Sequence, residues 1–286
     1  MLISLTALNG LTLAALLFII SSGLALSFGL LRIVNLNHGA FYLTGGYIGV
    51  TVQRMTGSWY LAVIAGGVAM AILAFLEERY ILSLDRVRGN PLVETLVTLG
   101  IAIILADLDL VFWTGEPVTL VIPQFLDQVI FVFGVYYSGY RIFVLGLAVF
   151  IALGLWLFLN KTKVGITIRA GIDDAEMVAA QGINIQRLYT LVFVLSGFLA
   201  GISGVIGGSF SMLGPGEDWR MLRFALIVVI IGGMGSFGGV IFGSLITALV
   251  FSFASVYLPS YSLFLIFVPV VIILAVRRRG LFGRES

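Results

Sequence analysis

Apolar runs of about 20 residues recur along this chain, and no other feature restricts its folding as much. A helix rises about 1.5 Å per residue, so each run can cross a hydrocarbon layer roughly 30 Å thick. The stretch LFLIFVPVVIILAV (263–276) is continuously apolar. It does not alternate at the period of two that a membrane β-barrel requires. Only 10% of the 286 residues are charged, against about a quarter in soluble domains. The chain therefore reads as an all-α, polytopic helical membrane protein.

Hydropathy places about eight hydrophobic segments, near 10–31, 39–53, 58–78, 92–112, 140–159, 189–210, 222–254 and 261–276. The first lacks a preceding basic stretch and a small-residue cleavage site, which predicts a retained span rather than a signal peptide. No soluble domain or long linker remains, so 1–286 reads as a single transmembrane domain. With no cysteine, disulfides and thiolate metal sites are excluded. A single histidine and no nucleophile–base set or metal-ligand cluster rank an enzyme last. The net charge of +2 is too small and dispersed to argue for nucleic acid.

Eleven of the 16 basic residues fall in three places: Arg79, Arg86 and Arg88; Lys161, Lys163, Arg169 and Arg187; and the tail, Arg277, Arg278, Arg279 and Arg284. The positive-inside rule makes these regions, and so the C-terminus, cytoplasmic. The stretch 113–139, with Glu116 and Asp127 and no Lys or Arg, suits the outer side. Parity then requires residues 222–254 to leave and return on one face. Thirty-three helical residues would in any case run about 50 Å, and the glycines of IGGMGSFGG (231–239) mark the turn of a re-entrant or broken helix pair. The glycine-broken run 39–53 leaves two readings open for residues 10–53: two crossings, or one crossing and a second re-entrant piece.

Glycines at four-residue spacing (45 and 49; 197 and 201; 204 and 208; 235, 239 and 243) suit close helix packing in lipid. The stretch RIVNLNHGAF (32–41) gathers Arg32, Asn35, Asn37 and His38 between apolar runs. Either these groups cap helix ends or they face an internal aqueous path. Along a helix starting near Pro91, Asp107 and Asp109 fall close to the outer interface, and Glu94 suits the N-terminal dipole. In the loop 160–188, Asp173 as N-cap and Glu176 at N3 form a capping box, and Gly182 is a C′ stop. The resulting helix of about eight residues is too short to stand alone in water. It rests on the membrane or its own bundle, or else docks a cytoplasmic partner.

That loop, with RIVNLNHGAFYLTGGYIG (32–49) and VVIIGGMGSFGGVIFGSLI (228–246), resembles the permease subunits of branched-chain amino acid ABC importers, in order along nearly the whole chain. The urea and short-amide permeases are close relatives with the same motifs. The resemblance implies a coupling helix in the loop 160–188, carrying Asp173, Asp174, Glu176, Ala179, Ala180 and Gly182, that fits a groove on the ATPase. It implies a homologous second permease, two cytoplasmic ATPases and an extracytoplasmic binding protein, in a bacterial-type plasma (inner) membrane. The pathway is expected to draw on Asn35, Asn37, His38, Thr44, Gly232, Gly233, Gly235 and Ser236. Where the family usually has a small residue this chain has Asn37, which leaves the cargo open between branched-chain amino acids and short amides. No P-loop motif occurs in the chain, so ATP is the partners' substrate and no cofactor is expected here. An ion-coupled secondary transporter is the competing class, and it would need more ionisable groups near mid-bilayer.

Overall fold

The computed structural model describes residues 1–31, 33–132 and 134–283. Arg32 and Arg284, which figured in the reading above, lie outside the described residues. Helix α1 (Leu2–Leu31) begins earlier than its apolar run implied and, at 30 residues, is about 45 Å long. It is apolar on every face, as a helix surrounded by others should be. The chain then leaves helical geometry before α2 (His38–Thr56). This helix runs unbroken through Gly45 and Gly46, contrary to the expectation of a glycine break. After α3 (Trp59–Glu77) the backbone widens into a π-helical turn, Glu78–Leu82.

Helix α4 (Pro91–Trp113) starts at proline with Glu94 at its positive end, as predicted, and Asn90 is its cap. The stretch 113–139 adds a small hairpin to the all-α plan. Strands β1 (Val129–Val132) and β2 (Val135–Ser138) pair antiparallel, with Val129 opposite Ser138 and Val132 opposite Val135. Next come α5 (Gly139–Lys161), α6 (Lys163–Asp173), α7 (Ala175–Ala180) and α8 (Ile185–Gly208).

The long segment 222–254 is two helices, α9 (Glu217–Gly232) and α10 (Phe237–Tyr257), broken where the glycines predicted. Gly233 and Gly235 take positive φ values of 100° and 75° in the break, a geometry that glycine adopts without a Cβ penalty. The last span is α11 (Ser262–Leu265) and α12 (Phe267–Val276). Pro269 cannot donate to the carbonyl of Leu265, and its ring crowds that carbonyl, which places the interruption at Ile266.

Among the described residues seven helical segments are long and apolar enough to cross a membrane. Those containing α1 and α8 are 83% and 72% buried, whereas α4 and α5 are 22% and 17% buried. Helices α1 and α8 therefore form the centre, and α4 and α5 lie at the periphery. One end of the bundle carries the hairpin: Tyr137 hydrogen-bonds Thr12 near the start of α1, and Ser252 near the end of α10 donates to the Thr6 carbonyl. The opposite end carries α6, α7 and the tail, where Leu281 and Phe282 donate to the carbonyls of Ile231 and Gly232.

Contacts between α2, α3 and α8 depend on small residues. A Cβ on Gly201 would stand 2.3 Å from the Gly66 carbonyl oxygen, and one on Gly204 would stand 1.9 Å from that of Tyr42. Backbone thus lies directly on backbone, which lets dispersion hold helices together in lipid. Gly201→Val should force α3 and α8 apart at a cost of about 1–3 kcal/mol or more. The expected readout is a lower melting temperature and a poorer yield of monodisperse protein in detergent; wild-type melting would contradict this packing.

Candidate functional site

The unwound segment before α2 threads into the bundle and does not run along its surface. Asn35, Asn37 and His38 are completely buried. Unwound backbone and polar side chains at that depth need internal partners, and side chains of α3, α4 and α8 with a backbone carbonyl of α1 meet them. Leu36 N–H donates to Thr98 Oγ1 of α4 at 3.1 Å, and the Asn37 N–H to Asn35 Oδ1 at 3.1 Å. The Asn37 side-chain amide donates to Glu77 of α3. His38 meets the Ile20 carbonyl of α1 through Nε2 at 2.8 Å and Ser196 of α8 through Nδ1 at 3.3 Å. A neutral ring with its proton on Nε2 satisfies both contacts. Asn37 occupies the N-cap position of α2 but makes no side-chain cap bond: its Nδ2 donates to Glu77, and its Oδ1 is buried without a partner.

The neighbouring Glu78 faces a different part of the bundle. Its buried carboxylate accepts from Arg88 Nη2 at 3.3 Å, from Gln186 Nε2 at 2.8 Å and from the Thr190 hydroxyl. Arg88 also lies 5.4 Å above the Tyr189 ring. Gln186, Tyr189 and Thr190 form the first turns of α8, immediately after α7. Two consecutive acids thus connect α3 to both places where α2 and α8 begin, and the wide turn at Glu78–Leu82 is the kind of local distortion that recurs at functional sites. Sequence reasoning missed this role, although an acidic pair ending an apolar run was a visible signal.

Helix α7 is shorter than expected, and its capping differs from the predicted box. Asp173 ends α6; it is Asp174 that caps α7, accepting from the Met177 N–H at 2.9 Å. Either acid suits the cap chemically, and the independent helix α6 ahead of it, read before as polar loop, shifts the register by one. Gly182 does end the element, with φ of 79° and its N–H on the Ala179 carbonyl at 2.9 Å. Val178 is the buried anchor, while Asp173, Asp174, Glu176, Ala179, Ala180 and Gly182 are exposed.

The turn at Gly232, Gly233, Gly235 and Ser236 lies at the tail end of the bundle. Gly235 abuts Gly29 of α1 and Ile172 of α6, and Ser236 caps α10 through the Gly239 N–H at 3.1 Å. Beside it opens a cavity of about 790 Å³ whose walls include Phe28, Trp156, Arg169, Met234 and Ser236. Near the hairpin end, Thr44 donates to Asp109 Oδ2 at 2.9 Å. Both Asp107 and Asp109 lie in the last turns of α4; Asp107 is exposed, whereas Asp109 is buried inside the bundle. Among the described residues no group of three or more His, Asp or Glu is placed to hold a metal ion.

Spans packed through glycine, with polar side chains turned inward, form the framework of a membrane permease. The chain belongs to the family described as branched-chain amino acid transport system / permease component, whose profile matches residues 6–276. It is 27% identical to the high-affinity branched-chain amino acid transport system permease protein BraD of Pseudomonas aeruginosa, over 97% of this chain and 95% of that protein. Identity is likewise 27% with the permease protein LivH of Escherichia coli, over 97% of this chain and 94% of the other. A probable LivH of Methanocaldococcus jannaschii is 24% identical, over 86% of this chain and 79% of its own length. The chain is therefore an integral protein of the inner membrane and the permease subunit of an ABC importer, a family whose relatives are permeases rather than enzymes. Subunits of this kind work with ATPase and substrate-binding partners.

Replacing Glu78 tests the connection between α3 and α8. Glu78→Ala leaves Arg88, Gln186 and Thr190 without their acceptor, at a cost of about 1–3 kcal/mol, and the melting temperature should fall by several degrees. Glu78→Gln, which keeps an acceptor oxygen, should lose less. Unchanged melting of both variants would show that the three contacts contribute nothing to stability.

Proposed function

We propose that this chain forms one half of a translocation pathway for branched-chain or related amino acids, paired with a second, homologous permease. Two ATPases bind the end that carries α7 and the tail, which is cytoplasmic, and a binding protein delivers cargo at the hairpin end. ATP is hydrolysed only by those partners, so the chain itself needs no cofactor. The reading rests above all on α7. It is a six-residue helix, anchored by one buried valine, with Ala175 half-buried and the other four residues exposed, Met177 at 57%. Such an element is not self-sufficient in water, and it has the size and position of a plug for a groove on another protein. Ala179, Ala180, Gln181, Gly182 and Ile183 are the residues offered.

A displacement of α7 would act directly on the start of α8. Glu78 would pass it to α3, and Glu77 would pass it through Asn37 to the start of α2. On this reading Asn35, Asn37 and His38 form the joint around which the helices move. Thr44 contributes to the pathway at the outer end, and Gly232, Gly233, Gly235 and Ser236 contribute at the inner end, where the turn rests on α6. Neutral polar groups suffice along such a path, because a zwitterionic amino acid carries no net charge to neutralise.

Two measurements test this. Uptake of labelled leucine into vesicles of the reconstituted complex should persist with ATP when proton and sodium gradients are collapsed; uptake that stops would favour an ion-coupled carrier. Gly182→Val places a branched residue at positive φ, a strained conformation, and should cut substrate-stimulated ATP hydrolysis while the protein still inserts. Stimulation equal to wild type would argue against the docking role of α7.

A further inference from the structure

Near the hairpin end, α2, α4 and the start of α9 enclose a second cavity, of about 150 Å³. A water-sized sphere needs roughly 10–15 Å³ of such space, so the cavity has room on the scale of the nine or so heavy atoms of a leucine molecule. Two carboxylates enter its wall, Asp109 and Asp218, which are only 3% and 5% exposed. Asp109 Oδ2 is occupied by the Thr44 hydroxyl, but Oδ1 is buried with no partner. No arginine or lysine shares the wall. A buried carboxylate oxygen lacking a donor, with a second carboxylate beside it, calls for a cation.

The remaining walls narrow the choice of cation. Leu43, Tyr47, Leu110 and Trp219 are apolar or aromatic, and Tyr47 is itself stacked on Trp113 at 5.2 Å. Aromatic faces suit an organic ammonium group, and the apolar surface suits a hydrocarbon body. An anionic end is also accommodated. Gly216, in the same wall, is the N-cap of α9 with φ of 91° and no side-chain cap. The Glu217 N–H is taken by the Gly214 carbonyl, and that of Arg220 by Gly216. The N–H groups of Asp218 and Trp219 are left as the open donors of a helix N-terminus, where carboxylates bind.

We propose that this cavity is a subsite for a zwitterionic, apolar amino acid. The ammonium group sits on Asp109 and Asp218, the carboxylate on the N-terminus of α9, and the side chain among Leu43, Tyr47, Leu110 and Trp219. The proposal rests on the permease reading above and adds to it a place where cargo pauses at the outer end. Thr44 is then a positioning residue, holding the Asp109 carboxylate so that Oδ1 faces the cavity. Cation coordination alone would not use the apolar wall or the open helix terminus.

The test is saturation-transfer NMR on the intact permease–ATPase complex in nanodiscs, using three probes with one carbon skeleton. These are L-leucine; isopentylamine, which lacks the carboxylate; and 4-methylpentanoate, which lacks the ammonium group. We expect transfer to leucine, weaker transfer to isopentylamine and none to 4-methylpentanoate. Leucine binding should weaken about tenfold or more in Asp109→Asn, the scale of one charge-assisted hydrogen bond, and also weaken in Asp218→Asn. Should Asp109→Asn fail to assemble, Asp218→Asn and Thr44→Val carry the test. The proposal is overturned by undiminished leucine binding in intact variants, by 4-methylpentanoate binding as well as leucine, or by a site that takes isopentylamine but not leucine. ATP-driven leucine uptake by the same wild-type complex separates two failures. Uptake without saturation transfer rejects the subsite and leaves the permease reading standing; loss of both rejects both.

Discussion

Lipid offers no hydrogen bonds, so wherever this chain unwinds inside the bundle it must supply its own partners. The segment before α2 shows how that requirement shapes the fold. Residues 33–37 lie outside α1 and α2, and their polar groups, with those of His38 at the start of α2, reach Thr98, Glu77, Ile20 and Ser196 on four separate helices. A site so connected fixes the relative positions of α1, α3, α4 and α8. The polar side chains at that point thus have a structural role.

Glycine contacts and polar contacts divide the remaining work. Where α2, α3 and α8 meet through Gly201 and Gly204, backbones touch directly, and the Trp59 indole N–H donates to Ser209 at the end of α8 at 2.8 Å. At Glu77 and Glu78 the links are directional hydrogen bonds, joined at Glu78 by the ion pair with Arg88, which makes them less yielding. Glycine contacts thus lie toward the hairpin end of the bundle and the two adjacent acids toward the end that carries α7. The exposed α7 stands directly before α8, the helix that Glu78 contacts.

Much of this was legible in the sequence because the signals were local. Span lengths follow from apolar runs. The break between α9 and α10 follows from parity together with a glycine cluster, and the stop at Gly182 from its residue type. Other features depend on residues far apart in the chain. Nothing near Asp109 announces a partner 65 residues away at Thr44, and nothing near Asn37 points to Glu77. The cap of α7 was misplaced by one residue because two adjacent aspartates are chemically equivalent as caps, and only the extent of α6 decides between them. Gly45 and Gly46 looked like a helix break, yet they serve as contact surface, since isolated glycines fit either role until the neighbouring helix is known.

The central claim is that the polar entry to α2 is a dry, packed joint. The chain has no cysteine, so a single introduced thiol reports on it cleanly. Ala40, one turn into the joint and 2% exposed, can be replaced by the similarly small residue in Ala40→Cys, with Met55→Cys, where the native side chain is 80% exposed, as the reference. Under a membrane-impermeant maleimide the purified resting protein should label fully at position 55 and negligibly at position 40. Labelling of both at comparable rates would mean that water reaches the joint, and the account of Asn35, Asn37 and His38 as internal structure would be wrong.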